Sequence, residues 1–276
     1  MKVLIIPDIH QRHALARSIF EKYVDEVDRV IFLGDFFDSY TETIHDVCMT
    51  AELVKEVIHN PKVICLYGNH DISYRYNNQT SNCPGYDTKK SYAINDILKN
   101  SDWEKFKYHH VEDGVVYSHA GFTRKLIVQH NILYNNSSLD DISEKTDECY
   151  RRDNHVNSYF TPIYTAIDGK RSSRGGDFGG ILWCDWDYLS LIENLNQVVG
   201  HTPQFYPQVA TNLPNHRKTQ KICLKHNRDY ARKLFKYEDG IWQLPKNFNL
   251  AMDCHLKYCA ILEDGKNLKL IQNYEN

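Results

Sequence analysis

Five short motifs carry side chains that are suited to binding divalent metal ions. They are Asp8-Ile9-His10, Gly34-Asp35-Phe36-Phe37-Asp38, Gly68-Asn69-His70-Asp71, Ser118-His119-Ala120-Gly121 and Gly200-His201-Thr202-Pro203. Any one of them could be an ordinary polar turn, because Asp, Asn and His also serve turns and helix caps. Together they supply enough carboxylate, amide and imidazole ligands for two ions, and this combination predicts a metal site.

Asp35 is the natural candidate for a carboxylate that bridges two ions, which in dinuclear sites lie about 3.5 to 4 Å apart. Asp8 and His10 lie two residues apart and could hold the first ion from one bend of the chain. The second ion could be held by Asn69, His119 and His201. Oxygen and imidazole ligands without a thiolate suit Mn²⁺ first, and Fe or Zn²⁺ as well.

His70 is adjacent to one of these ligands but is not needed as a ligand itself. Beside the two ions, its imidazole could protonate a departing alkoxide, which is the role of a general acid. Asp38, three residues after the bridging carboxylate, could orient His70 and raise its pKa. An aspartate in such a loop could also simply cap the following helix. A metal-bound water or hydroxide would then attack a phosphoryl group whose charge the ions neutralise.

Short apolar runs precede the motifs and predict the strands that must position them. Val3–Ile6, Val30–Leu33 and Val63–Tyr67 each end in a polar motif and have the composition of buried strands. Between them, Ala14–Val24 and Ile44–Ile58 carry apolar residues at helical spacing. This β-α-β-α-β order predicts a parallel sheet, in which ligands bind beyond the carboxyl ends of the strands.

The later motifs follow the same rule. Val115–Tyr117 precedes the fourth motif and Gln197–Val199 precedes the fifth. Near the C-terminus three more strands are predicted, at Leu250–Met252, Tyr258–Leu262 and Leu268–Ile271. These C-terminal strands suggest a second sheet, so the expected fold class is α/β, a β-sandwich of two mixed sheets flanked by helices.

The chain has 276 residues and is expected to form one domain over residues 1–276, because motifs spread from residue 8 to residue 203 must converge in one site. The stretches 71–90, 123–186 and 204–249 fit this scheme less well and are predicted to be insertions around the site mouth. With 42% hydrophobic and 25% charged residues, the composition is that of a soluble globular protein. The net charge of −3 provides no general attraction to nucleic acid or to an anionic membrane.

Targeting signals and disulfide motifs are not evident in the sequence. No stretch approaches the roughly 18 apolar residues of a membrane span, and the apolar run after Met1 is too short for a secretion signal. The eight cysteines form no C-x-x-C pair, which predicts reduced thiols and a cytoplasmic location. Basic residues cluster between Arg217 and Lys236. Such a run usually forms a solvated face, and a contact with nucleotide, polyphosphate or RNA is the alternative.

The motif series resembles the calcineurin-like metallophosphoesterase superfamily, and within it the bacterial and phage Ser/Thr phosphoprotein phosphatase branch, which includes symmetrical dinucleoside tetraphosphatases. The resemblance covers residues 1–121 and 197–272, and Gly-His-Thr-Pro in the fifth motif is similar to the phosphatase branch. It implies that residues matching His70 and Asp38 form an acid dyad. It also implies two metal sites that share one aspartate, formed by residues matching Asp8, His10 and Asp35, and by residues matching Asp35, Asn69, His119 and His201.

The chain departs from this family at the arginines that grip the substrate phosphate. Ser39 stands where relatives carry one such arginine, and Leu182-Trp183 is followed by Cys184-Asp185 where a second one often occurs. Either other cations bind the phosphate, with Arg12, Arg75, Arg171 and Arg174 as the candidates, or the phosphate is bound weakly.

The resemblance implies a dinuclear metal-dependent enzyme that hydrolyses phosphate monoesters in the manner of a phosphoprotein phosphatase. Its expected partner is a phosphorylated substrate, which could be a phosphoprotein, a nucleotide or an RNA end. A hydrolase of dinucleoside polyphosphates (Ap4A-type), nucleotides or RNA ends is the first alternative. A non-catalytic interaction module with the same fold is the second, and it is disfavoured because every expected ligand is present.

Overall fold

A computed structural model provides the structure of the protein. It describes residues 1–39, 41, 43–78, 81–129, 139–152, 180–212, 219–224 and 228–273. The strands in these residues are β1 (Lys2–Ile6), β2 (Arg29–Phe32), β3 (Val63–Cys65), β4 (His109–Glu112), β5 (Val115–Ser118), β6 (Asn196–Val199), β7 (Gln208–Thr211), β8 (Gln220–Cys223), β9 (Tyr237–Glu238), β10 (Ile241–Gln243), β11 (Asn249–Ala251), β12 (Tyr258–Glu263) and β13 (Asn267–Gln272). The helices are α1 (His13–Tyr23), α2 (Ile44–Val57), α3 (Asn69–Tyr76), α4 (Thr88–Ile97), α5 (Asn100–Trp103), α6 (Arg124–Gln129), α7 (Leu139–Arg151), α8 (Gly180–Trp183) and α9 (Arg228–Leu234).

The first sheet has seven strands in the order β3-β2-β1-β12-β13-β10-β9. Strands β1, β2 and β3 are parallel, so the crossovers through α1 and α2 bring their three carboxyl ends to one edge of the sheet. The remaining strands of this sheet pair antiparallel with their neighbours. This arrangement confirms the predicted β-α-β-α-β unit.

The C-terminal strands do not all lie where the sequence suggests. The expectation that they build the second sheet is wrong for β12 and β13, which extend the first sheet by antiparallel pairing of β12 with β1. Strand β1 is buried on both faces, and its free edge would otherwise leave buried backbone groups without hydrogen bonds. Only β11 of the three joins the second sheet.

The second sheet has six strands in the order β4-β5-β6-β11-β7-β8. Its central strands β5, β6 and β11 are parallel, and its outer strands are antiparallel. Residues 204–249, expected as an insertion, contribute β7 and β8 to this sheet and β9 and β10 to the first. Two mixed sheets flanked by helices therefore form the fold, as the sequence predicts.

The core consists of two main layers, and β1 separates them. Val3 and Ile5 face the second sheet and pack with residues such as Tyr117. Leu4 and Ile6 face the other way and pack under α1 and α2. Each fully buried aliphatic side chain of this kind contributes about 1.5 to 3 kcal/mol of transfer free energy. Burial on both faces explains why the strand is a continuous apolar run, and it fixes the position at which the chain emerges with Asp8.

Two further expectations can be compared with the fold. No helix within the described residues combines the length and the apolar character that crossing a membrane would require. The eight cysteines are all free thiols in the structure, in agreement with the absence of paired cysteine motifs.

Candidate dinuclear metal site

The five motifs meet where the carboxyl ends of β1, β2, β3, β5 and β6 converge. Backbone hydrogen bonds tie the loops together, because Ile9 N and His10 N both donate to Asp35 O, at 3.0 and 2.9 Å. The loops of the second sheet are joined in the same way, since Gly200 N donates to His119 O at 2.8 Å. Backbone hydrogen bonds therefore connect the site loops to one another independently of any bound ion.

Four site residues have left-handed backbone conformations. The φ angles of His10, Asp35, Asp38 and His201 are +43°, +49°, +66° and +66°. Such conformations cost of order 1 to 3 kcal/mol each for residues other than glycine, and they persist where the surrounding structure holds them. Their concentration here is typical of a functional site, and it explains how these loops turn sharply as they leave the strands.

The first ligand group consists of Asp8, His10 and Asp35, whose ligand atoms all lie within 4.8 Å of one another. His10 Nδ1 donates to Asp38 O at 2.7 Å, which leaves Nε2 facing Asp35 Oδ2 at 3.7 Å. Asp8 Oδ2 accepts a hydrogen bond from His201 N at 2.9 Å. The other oxygen, Asp8 Oδ1, is buried without a hydrogen-bond donor among the described residues. A buried carboxylate oxygen that receives no hydrogen bond is suited to binding a cation.

The second ligand group consists of Asp35, His119 and His201, with Asn69 beside them. His119 Nδ1 donates to Leu33 O at 2.8 Å, so Nε2 is left for a ligand. His119 Nε2 lies 2.9 Å from Asn69 Oδ1, 3.2 Å from His201 Nδ1 and 3.4 Å from Asp35 Oδ2. Atoms that each lie about 2.1 Å from one ion, at right angles to each other, are about 3 Å apart. The spacing therefore fits a shared coordination sphere.

Asp35 belongs to both groups, and no other described residue does. Burial raises the pKa of its carboxyl, but His119, His70 and His10 more than offset this and hold it well below its usual range. Burial lowers the pKa of His119, and Asp35 raises it to a net value of about 9. Protons and cations therefore compete for these imidazoles, and binding a cation releases protons.

Two glycines permit the close approach of the loops to the ligand carboxylates. A Cβ atom at Gly200 would lie 2.0 Å from Asp8 Oδ1, and one at Gly68 would lie 2.1 Å from Asp35 Oδ1. Both distances are far inside van der Waals contact. Any side chain at either position would displace a ligand oxygen, which explains the glycines in the third and fifth motifs.

His70 and Asp38 form a hydrogen-bonded pair beside the two groups. His70 Nδ1 lies 3.0 Å from Asp38 Oδ2, and the backbone N–H of His70 donates to Asp35 Oδ1 at 3.0 Å. Burial lowers the pKa of His70, but Asp35 and the hydrogen bond to Asp38 raise it well above its ordinary value. A raised pKa favours the protonated form of the imidazole, which is the form a proton donor needs.

A cavity of about 530 Å³ opens onto the site. His70 and Asp38 line it together with members of both ligand groups, including Asp8, His10 and His201. Arg12 also lines it, and its guanidinium donates a hydrogen bond to His255 O. Arg12, one of the predicted phosphate-binding arginines, thus lines the same cavity as the candidate metal ligands.

Of the other candidate arginines, only Arg75 falls within the described residues, and it lies away from this cavity. Arg75 lies in the last turn of α3, where its guanidinium donates to Asn100 Oδ1 at 2.8 Å, and it does not line the cavity. Arg171 and Arg174 lie outside the described residues, as does part of the basic run from Arg217 to Lys236. Within that run Lys221 Nζ donates to Trp186 O and to Asp187, at 2.6 and 3.1 Å.

Several supporting residues were not identified from the sequence. They are Asp71, Tyr74 and Lys90. The carboxylate of Asp71 accepts from Phe36 N at 2.9 Å and from Gly68 N at 2.8 Å, and it thereby joins the loops after β2 and β3. Burial, with a further contribution from Asp35, raises the pKa of Asp71 to about 7. The available signal was its place three residues after Gly68, where acidic residues cap helix starts.

We expect Asp71→Ala to destabilise the protein by about 2 to 6 kcal/mol, because two buried N–H groups lose their acceptor at about 1 to 3 kcal/mol each. Urea unfolding measures the change in free energy. Asp87→Ala is the matched control, since Asp87 also accepts two backbone N–H groups but is exposed. Its expected cost is about 1 kcal/mol. Equal losses in the two variants would show that other contacts hold the site loops.

Comparisons with known proteins identify the family of this chain. The family model described as calcineurin-like phosphoesterase matches residues 1–205. A cold-active protein-tyrosine phosphatase of the psychrophile Shewanella sp. is similar in structure, with 15% identity, a TM-score of 0.53, and coverage of 98% of this chain and 80% of that chain. A search of curated proteins finds no match to the sequence.

Two other solved structures align over this whole chain with lower scores. A metallophosphoesterase from Sphaerobacter thermophilus has 13% identity, a TM-score of 0.47, and coverage of 100% of this chain and 89% of that chain. A protein serine/threonine phosphatase from Saccharomyces cerevisiae has 12% identity, a TM-score of 0.46, and coverage of 100% and 81%. Since the family model spans most of the chain, this protein belongs to the calcineurin-like phosphoesterase family and is a metal-dependent hydrolase.

Proposed function

We propose that the protein hydrolyses phosphate monoesters in the manner of a phosphoprotein phosphatase. The observation that carries the proposal is the position of His70. This proton donor, paired with Asp38, borders the same cavity as the two ligand groups that share Asp35. A phosphoryl group in the cavity would lie between the ligands and a donor for its leaving oxygen. That arrangement is the one that hydrolysis of an alkyl phosphate requires.

The donor set fits two divalent ions, with Mn²⁺ proposed first and Fe or Zn²⁺ as alternatives. Asp8, His10 and Asp35 would hold one ion, and the other would be held by Asp35, Asn69, His119 and His201. When bound, such a pair supplies an activated water nucleophile and neutralises phosphoryl charge. His70 then gives its proton to the departing oxygen, while Asp38 holds the ring through Nδ1.

The charge of the cavity favours a substrate with one phosphoryl group. Among the described residues that line it, Arg12 is the only lysine or arginine, whereas four are aspartates. Two divalent ions would offset the charge of the four aspartates, so Arg12 would be the lysine or arginine left to balance the substrate. A dinucleoside polyphosphate carries several phosphoryl charges, which this one cation would not balance. A phosphorylated side chain places one phosphoryl group at the ligands and leaves the rest of its protein outside. The free thiols are consistent with the proposed cytoplasmic location of such an enzyme.

The test is the formation of hydrolysis products from a panel of substrates by the Mn²⁺-loaded protein. Orthophosphate is measured for the phosphate monoesters, and the nucleotide products of the other substrates are separated by chromatography. The panel contains a phosphoserine peptide, a dinucleoside tetraphosphate, a 2′,3′-cyclic nucleotide and a 3′-phosphorylated RNA. We expect the phosphoserine peptide to be hydrolysed with the highest kcat/KM, and chelation to abolish turnover because the nucleophile depends on the ions. A preference for the tetraphosphate or for RNA would contradict the proposed substrate class while leaving the hydrolase assignment intact.

A further inference from the structure

The carboxylate of Asp38 receives hydrogen bonds from three side chains. His70 Nδ1 lies 3.0 Å from Oδ2, and the Tyr74 hydroxyl donates to Oδ1. Lys90 Nζ lies 3.2 Å from the same Oδ1. The residue is only 4% exposed. Because an ionised carboxylate offers about four acceptor positions, these three donors occupy most of them.

The two additional donors come from different helices. Tyr74 follows His70 by four residues on α3, so both side chains lie on one face of that helix. Lys90 lies in the first turn of α4, where its amine also donates to Gly85 O at 3.1 Å. The lysine side chain is only 15% exposed. The partly buried ammonium of Lys90 therefore connects the loop before α4 to Asp38, which is the hydrogen-bond partner of His70.

Gly85 covers the remaining side of the Asp38 carboxylate. Its φ angle is +101°, and a Cβ atom at this position would lie 3.0 Å from Asp38 Cγ. The backbone of the loop thus packs directly against the carboxylate. Rotation of the carboxylate would break a hydrogen bond to Tyr74 or Lys90, or bring it into collision with this loop.

We propose that Tyr74 and Lys90 are positioning residues for the proton donor, a role that rests on the proposed function. They fix the orientation of the Asp38 carboxylate, which in turn fixes the ring of His70 relative to the leaving oxygen. Neither residue lines the cavity, so both act through Asp38 and not on the substrate. Their effect is greatest for esters whose leaving group needs a proton, because an aryl oxide departs with little help.

The test uses Tyr74→Phe and Lys90→Met, which keep the bulk of each side chain. The matched control for Tyr74→Phe is Tyr86→Phe, because the ring of Tyr86 lies next to that of Tyr74. The control for Lys90→Met is Lys89→Met, at an exposed position of α4. We expect each test variant to lower kcat on a phosphoserine peptide by roughly 10- to 100-fold with little change in KM, because misplacement by about 1 Å costs about 10²-fold. Activity on 4-nitrophenyl phosphate should fall much less, and the controls should retain the activity of the native protein.

A double-mutant cycle separates positioning from a general structural role. In the His70→Asn background, Tyr74→Phe and Lys90→Met should cause no further loss, because the residue they position is gone. Equal slowing of both substrates, or an undiminished loss in the His70→Asn background, would overturn the proposal.

Crystal structures of Tyr74→Phe and Lys90→Met give a readout that needs no activity. A rotated Asp38 carboxylate and a lengthened contact to His70 Nδ1 are the expected result, and an unchanged pair would overturn the positioning role. Failure of the native protein to hydrolyse any phosphate ester would instead contradict the proposed function, and the variant structures would still decide the role of the two residues.

Discussion

Asp35→Asn is expected to lower kcat/KM for phosphate esters by at least about 10³-fold and to reduce the bound metal well below two ions per chain. Asp35 is shared by both ligand groups, so its substitution weakens both sites at once. Two-metal sites supply several kcal/mol of transition-state stabilisation, and each 1.36 kcal/mol corresponds to a factor of about ten in rate. No other single ligand substitution affects both groups in this way.

Asparagine preserves the shape of the side chain and can still accept the hydrogen bond from His70 N, so the fold should survive. Elemental analysis of the purified variant gives the metal content, and phosphate release at saturating Mn²⁺ gives the activity. Asp46→Asn is the matched control, because Asp46 lines the same cavity but belongs to neither ligand group. Retention of two ions by Asp35→Asn would contradict the bridging role.

His70→Asn is expected to slow hydrolysis of a phosphoserine peptide by roughly 10² to 10⁴, the usual contribution of a general acid. Metal content should stay near that of the native protein, because the His70 side chain belongs to neither ligand group. Hydrolysis of 4-nitrophenyl phosphate should be slowed much less, since its leaving group departs without a proton.

The comparison of the two substrates is what identifies the role of His70. His45→Asn provides the matched control at an exposed position of α2, and it should change neither rate. A loss of the same size on both substrates would indicate that His70 orients the substrate or the ligands and does not donate the proton. Loss of bound metal in His70→Asn would point to a ligand role instead.

The sequence alone predicts the three parallel strands of the first sheet and the edge at which the polar motifs meet. Val3–Ile6 and Val30–Leu33 are apolar runs because β1 and β2 are buried on both faces. A polar motif follows at the point where each of these strands ends. Parallel strands joined by right-handed crossovers bring such motifs to one edge. Local pattern and general topology are therefore sufficient to place Asp8, Asp35 and Asn69 near one another.

Sheet membership of the C-terminal strands required the tertiary structure. The residues of β12 predict a strand, but nothing within them indicates that the partner is β1, about 250 residues earlier in the chain. Strand pairing depends on register and on which edges the rest of the fold leaves open. Local pattern therefore cannot decide it.

The supporting residues of the site also depended on the tertiary structure. Arg12 and Arg75 both lie close to ligand motifs in the sequence, yet of the two only Arg12 lines the cavity. The cavity is at the N-terminal end of α3, whereas Arg75 lies in the last turn of that helix. Tyr74 and Lys90 belong to no metal motif, and only the packing of α3 and α4 brings them to Asp38. The sequence by itself therefore determined the types and order of the candidate ligands, because each polar motif directly follows an apolar run that predicts a strand. The contacts that hold these candidate ligands and the proposed proton donor in place were decided by long-range packing, which no local pattern encodes.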